Sequence, residues 1–283
     1  MSMGHNIITI ANPKGGVSKT TTAGHLSMSL GQKAKVCAID FDRQKDLSKM
    51  FFQGYPDSFY NHANTLTLIN FETSFEDTIK NKYNVDVIVS CPGLRDFSML
   101  VAKDITYLDR AKEILRDSTI VTKYDYIIID TPGTGIFETT SAILASDVVI
   151  IPVTTHKWSL DTLKDFFKDL NDAIKSGSKL SKMFILPSLW GNSIEKEEIH
   201  EQLQKLPDAL LELKKNEPGF ELLPQPKILN PIPSSDPIRK RGEFGEPLGD
   251  NTIGKVAFDK LADRIIKECT IKNKTLSTSR LAR

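Results

Sequence analysis

Seven short β-branched runs recur along the chain with helix-length segments between them: Ile7 to Ala11, Val36 to Ile39, Val85 to Ser90, Tyr126 to Ile129, Val148 to Val153, Met183 to Leu186 and Ile228 to Ile232. Several lack polar alternation, as strands do when helices cover both of their faces, and such strands belong to parallel sheets. The ordering predicts an α/β fold, a doubly wound and mostly parallel sheet with helices on both faces. In such sheets ligands bind beyond the carboxyl ends of the strands, so the residues that follow each run should carry the chemistry.

A chain of 283 residues is long enough for one sizeable core. We expect one domain over residues 1–270 and a polar, basic tail over 271–283 that is a candidate for disorder; the Pro-rich stretch Pro218 to Pro237 is the other irregular part. Hydrophobic content of 40% with 26% charged residues argues against a disordered chain. The longest apolar runs are far shorter than the roughly 20 residues of a membrane helix. The N-terminus lacks the basic start, apolar core and cleavage site of a secretory signal, so a cytoplasmic location is expected. Cys37, Cys91 and Cys269 have no paired short spacing, which excludes a disulfide framework, a zinc site and cysteine-ligated iron–sulfur chemistry, and they read as packing residues. A net charge of +1 gives no overall attraction to nucleic acid, so binding to DNA would need a local basic patch.

The first run leads into Asn12-Pro13-Lys14-Gly15-Gly16-Val17-Ser18-Lys19-Thr20-Thr21-Thr22 and then a helix-like stretch, Ala23 to Leu30, that stops at Gly31. Strand, glycine-rich turn and helix in this order aim successive backbone N–H groups and a helix N-terminus at one spot, an anion site suited to a triphosphate. Residues Lys14, Gly15, Gly16, Val17, Ser18, Lys19, Thr20 and Thr21 are the candidate phosphate cradle. Lys19 would reach the β and γ phosphates and the Thr20 hydroxyl would ligate Mg²⁺. Pro13 and Ser18 occupy the glycine positions of the ordinary GxxxxGK[ST] pattern; the deviant pattern KGGxxK[ST] fits instead and adds Lys14.

Two further strand ends carry carboxylates. In Ile39-Asp40-Phe41-Asp42-Arg43-Gln44, period-two spacing sets Asp40 and Asp42 on one side of an extended chain, where one could hold Mg²⁺ through water and the other orient an attacking water. Tyr126-Ile127-Ile128-Ile129-Asp130 is an apolar strand ending in a carboxylate, the Walker B arrangement, with Asp130 a second ligand of the metal through water. His25, His62, His156 and His200 do not read as catalytic, because phosphoryl transfer works mainly by positioning and electrostatics.

With these motifs in order, the chain resembles the ParA/MinD family of deviant P-loop ATPases from Ile7 to about Ile266, and most closely its short, Soj-like partition members. The resemblance implies ATP and Mg²⁺ as cofactors and a slow, partner-stimulated ATPase. Lys14, Lys19 and Asp42 would be its catalytic residues, with Lys14 reaching across a dimer interface and Asp42 acting as the hydrolytic carboxylate. Thr131 to Gly135 resembles the γ-phosphate-sensing switch. Pro231, Ile232 and Pro233 resemble the loop beside the adenine. Arg239, Lys240 and Arg241, with Lys267, Lys272 and Lys274 towards the C-terminus, are the candidate DNA-binding residues. An ATP-bound homodimer on nonspecific DNA, a ParB-like centromere-binding partner and a cytoplasmic, nucleoid-associated location follow from the same likeness. Ser18 departs from the family's glycine, either straining the turn or adding a hydroxyl near the phosphates. A helix-turn-helix before Asn6 is not expected. Two alternatives are a MinD-like membrane-associated ATPase, whose basic amphipathic C-terminal helix is not evident here, and an ATP-clamped scaffold with little turnover, which Ser18 keeps open. Residues 44–95 match the family poorly.

Overall fold

The computed structural model describes residues 6–154, 160–191, 196–244 and 246–279, with side chains outside the description at 160–162, 196, 242–244 and 271–279; His156 therefore lies outside it. Eight strands form one sheet: β1 Asn6–Ile10, β2 Val36–Asp40, β3 Ile79–Lys82, β4 Val85–Ile88, β5 Tyr126–Asp130, β6 Val148–Val153, β7 Lys182–Pro187 and β8 Pro226–Ile228. Their order across the sheet is β3-β4-β2-β5-β1-β6-β7-β8. Every pairing is parallel except that of β3 with β4.

The expected doubly wound sheet is present, and the apolar runs explain it. Successive residues of β1 point to opposite faces, so Ile8 and Ile10 enter one buried cluster with Leu26, Leu30 and Phe258, while Ile7 enters another with Ile127, Ile129 and Phe97. The helices Lys19–Gly31 and Ile253–Ser279 contribute to the first cluster, and the helix Ile136–Ala145 to the second. Gly24 lets the helix Asp46–Phe52 approach closely, since a Cβ there would run into the Met50 thioether. Cys37, Cys91 and Cys269 are buried and unbridged.

Two elements differ from expectation. β3 forms a hairpin with β4 through Tyr83 and Asn84, at φ 55° and 59°, and its alternating lysines hide it from a search for apolar runs. β8 ends at Ile228 rather than beginning there. Pro231 and Pro233 have no N–H to give a ladder, yet the chain still runs beside β7's continuation: Ile232 N–H donates to the Pro187 carbonyl at 2.8 Å and the Ile232 carbonyl accepts from Trp190 N–H at 3.0 Å. No helix among the described residues is long and apolar enough to cross a membrane.

His25 lies inside the Lys19–Gly31 helix, 2% exposed, with its ring 5.1 Å from that of Phe258 and Nε2 3.5 Å from the Ile238 carbonyl oxygen. Burial lowers its pKa from 6.5 to about 4. Because the folded value lies below the unfolded one, the stability that the neutral ring contributes is complete above pH 6.5 and is lost as pH falls towards 4. Urea unfolding midpoints measured across that window should register a loss of about 3 kcal/mol that His25→Gln largely removes.

Candidate functional site

The loop after β1 is pinned from below. Asn12, itself buried, donates from Nδ2 to the Pro152 carbonyl at 2.8 Å and accepts Lys14 N–H at 2.9 Å, which ties the loop to the end of β6. Gly16 and Ser18 both adopt left-handed conformations, at φ 69° and 68°, and the helix starts immediately afterwards at Lys19. The first N–H groups of a helix have no partner within it and carry the positive end of its dipole, so this turn presents donors to an anion. Lys19 is 7% exposed and its Nζ donates to the Lys14 carbonyl at 2.8 Å, which folds the ammonium over the loop. Lys14 is exposed.

Ser18 stands where a glycine would be at ease. At φ 68° and ψ 29° its Cβ meets the strain that L-residues have in this region, and its hydroxyl is buried with no hydrogen-bond partner and makes no cap bond. The strained turn expected of Ser18 is therefore present, and Ser18 lines the same cleft as Lys19 and Thr20.

Sheet register sets the carboxylates. Ile10 pairs with Asp130 and Asp40 pairs with Asp130 on the other side, so two fully buried carboxylates stand on adjacent strands beneath the loop. Their surroundings differ. Asp40 accepts from Ser48 N–H at 2.8 Å, Ser48 Oγ at 2.6 Å and Asp42 N–H at 3.0 Å. Burial still pushes it up to about 7, against the pull of those bonds. Asp130 has no hydrogen-bond partner on either oxygen. Burial raises it well above the usual carboxylate range and the Asp40 charge adds to this, while the Thr20 side chain and the Lys19 charge oppose it. An unsatisfied buried carboxylate beside a hydroxyl and a lysine has the chemistry of a site for a hydrated cation, because a cation would supply the missing partners and reverse the shift. The residues thus fit Mg²⁺, with Thr20 and Asp130 nearest to hand and Asp40 mainly shaping the turn that carries Asp42.

Asp42 is half-buried, accepts Gln44 N–H at 3.0 Å and faces a cleft of about 460 Å³ together with Gly15, Lys19 and Thr20. The segment after β5 closes one side: a Cβ on Gly133 would lie 3.2 Å from Gly15 Cα and 3.4 Å from Lys19 Nζ, so only a glycine seats there without displacement. Leu189, Ser235, Asp236 and Arg239 line the same cleft. Pro231, Ile232 and Pro233 do not line it; Ile232 is 4% exposed in the core behind that wall. A neighbouring cleft of about 480 Å³ shares Gly15, Asp42 and Gly133 and adds Arg43, Arg95 and Glu138. Neither Arg95 nor Glu138 stands out in the sequence, because each comes from a loop or helix start far along the chain.

The basic residues separate. Arg239 borders the phosphate-loop cleft and pairs with Asp236 at 3.4 Å, Arg241 pairs with Glu246, and Lys240 is exposed. Lys267 is exposed on the Ile253–Ser279 helix, and the side chains of Lys272 and Lys274 lie outside the described residues.

Known proteins share this organisation. A family model described as an AAA domain matches residues 5–183. An uncharacterized protein of Methanocaldococcus jannaschii is 29% identical over 270 residues, 92% of this chain and 98% of that one. A ParA family protein of Chlamydia muridarum is 31% identical over 189 residues, 65% of this chain and 71% of its own length. Among solved structures, a plasmid partition protein of Borrelia burgdorferi B31 bound to AMPPNP superposes with a TM-score of 0.73 at 25% identity, covering 93% of this chain and 99% of that one.

The Ser18 geometry has a measurable consequence. Ser18→Gly should relieve the left-handed strain and raise stability by about 1 kcal/mol, read as a higher melting temperature. A lower one would mean that the hydroxyl holds the turn.

Proposed function

The chain belongs to the ParA family of P-loop ATPases, and on that premise we propose that it is a MgATP-dependent ATPase that partitions or positions DNA. The observation that carries the proposal is the pairing of an unsatisfied, fully buried Asp130 with a two-lysine loop directly above it. When bound, MgATP supplies the phosphoryl group to be transferred and a cation that offsets its charge. Lys19 and the backbone N–H groups of Gly15 to Thr21 would hold the phosphates, Thr20 and Asp130 would hold the magnesium and its water, and Asp42 would orient the attacking water from the cleft wall. Ser235, Asp236 and Arg239, which line the same cleft, would approach the nucleoside, and Pro231 to Pro233 lead into that segment.

Lys14 is the residue that turns a nucleotide site into a switch. Its side chain is exposed, which supports a role on the nucleotide of a second copy. Hydrolysis then opens the dimer and releases DNA. A ParB-like partner would stimulate that step, and the ATP-bound form would associate with the nucleoid.

The strained Ser18 gives specific support to a second reading, in which the protein clamps ATP as a scaffold and turns it over little. Phosphate release with and without DNA separates the two, since tight ATP binding with zero turnover would favour the scaffold.

Lys19→Ala should cut turnover by roughly 10²-fold or more. Asp42→Ala should accumulate an ATP-bound dimer, and Lys14→Ala should lose ATP-dependent dimerisation in light scattering. Normal dimerisation of the Lys14 variant would rule out the cross-subunit role.

A further inference from the structure

The helix Ile253–Ser279 places Lys260, Arg264 and Lys267 at spacings of four and three, hence on one face. Lys260 and Lys267 are exposed and form no ion pair among the described residues. Arg264 is held. It pairs with Glu268 at 2.8 Å, and the other oxygen of that carboxylate takes Lys227 of β8 at 2.7 Å. Lys182, the first residue of β7, donates to the Glu268 backbone carbonyl. Glu268 is only 6% exposed, so it is a buried post that fixes cations from the helix and from two strands. Although burial raises the Glu268 pKa, the Lys227 hydrogen bond and the charges of Lys227, Arg264 and Lys182 bring it below the usual value.

The remaining acids of this helix are also neutralised: Asp259 pairs with Lys255, and Asp263, beside the stripe, pairs with Lys33 at 2.5 Å. Six cations, Lys33, Lys182, Lys227, Lys260, Arg264 and Lys267, therefore face two carboxylates on one surface. Between the helix and the end of β8 lies a depression of about 140 Å³, with Asn230, Lys260 and Arg264 as its polar lining over Leu229 and Leu261.

We propose that this surface is a phosphate track for duplex DNA, with Lys260, Arg264 and Lys267 contacting successive backbone phosphates and Lys227 and Asn230 flanking them. It rests on the reading that the ATP-bound protein binds DNA and moves the contact surface away from Arg239 to Arg241. Geometry supports the fit: Lys260 to Lys267 spans about 10 Å of helix, the axial rise of about three phosphates on one DNA strand. Exposed lysines that point at phosphates carry no sequence information, so the binding is nonspecific. Arg239 suits the role less well, because it borders the nucleotide cleft.

The test uses the full chain with MgATP, duplexes of unrelated sequence and a salt series. Lys260→Gln with Lys267→Gln changes two exposed positions that form no ion pair among the described residues and should leave the melting temperature alone. It should weaken DNA binding by about tenfold or more at 0.1 M salt and reduce the slope of log affinity against log salt by about 1.8 per protomer, with Lys260→Arg and Lys267→Arg restoring both. Lys240→Gln with Arg241→Gln should keep the parent slope. If the Lys260 and Lys267 variant keeps the parent slope, or the Lys240 and Arg241 variant loses it, the track is wrong while DNA binding stands. If the parent protein binds no DNA at any salt but sediments with anionic lipid vesicles, the track and the DNA reading both fall.

Discussion

The site depends on two carboxylates that the sheet buries side by side. Asp40 and Asp130 are in register on adjacent strands and neither is exposed. Burying one ionised carboxyl without partners is costly, and a second nearby charge makes it worse. The fold relieves Asp40 internally, with three hydrogen bonds from Ser48 and Asp42. It does not relieve Asp130. What remains is a local demand for positive charge beneath a loop that carries Lys19 and the positive end of a helix, so the ligand that meets the demand must bring a cation and an anion together.

The same loop also lies against the segment that follows Asp130. Gly133 lies so close to Gly15 that a Cβ on it would stand 3.2 Å from Gly15 Cα, and the second cleft with Arg43, Arg95 and Glu138 shares both glycines. Burial raises the Glu138 pKa, its own backbone N–H and Arg43 oppose this, and Asp42 adds to it. The hydrolytic candidate and the switch segment therefore share one electrostatic neighbourhood. Ser18 sets a limit on the same loop, because a strained residue persists only where its surroundings over-determine it.

Most of this was legible in the sequence where local chain order builds the feature. Six expected strands appear at or within two residues of their expected bounds, since unbroken β-branched runs have one stable use in a covered sheet. The phosphate loop was legible for the same reason: its strand, turn and helix are contiguous. β3 was not, because its residues alternate with lysine and its turn uses Tyr83 and Asn84 in place of glycine. The cleft's far wall was not legible either. Leu189, Asp236 and Arg239 meet Lys19 only through tertiary folding, and a run of three cations at Arg239 to Arg241 reads as a patch until Asp236 and Glu246 are seen to engage two of them.

The two proposed anion-binding surfaces lie apart on the sheet. The phosphate loop follows the carboxyl end of β1, whereas Lys182 opens β7 and Lys33 precedes β2, which sets the Lys260 to Lys267 stripe towards the amino ends. Nucleotide at one end touches nothing at the other, so a direct contact cannot carry the coupling between them. The proposed dimer would, because two protomers joined through Lys14 would present two tracks to one duplex, and tethered sites raise affinity through effective concentration without any new contact. On this arrangement ATP would control DNA affinity by the number of tracks presented rather than by their shape, which requires only that the dimer form and dissolve.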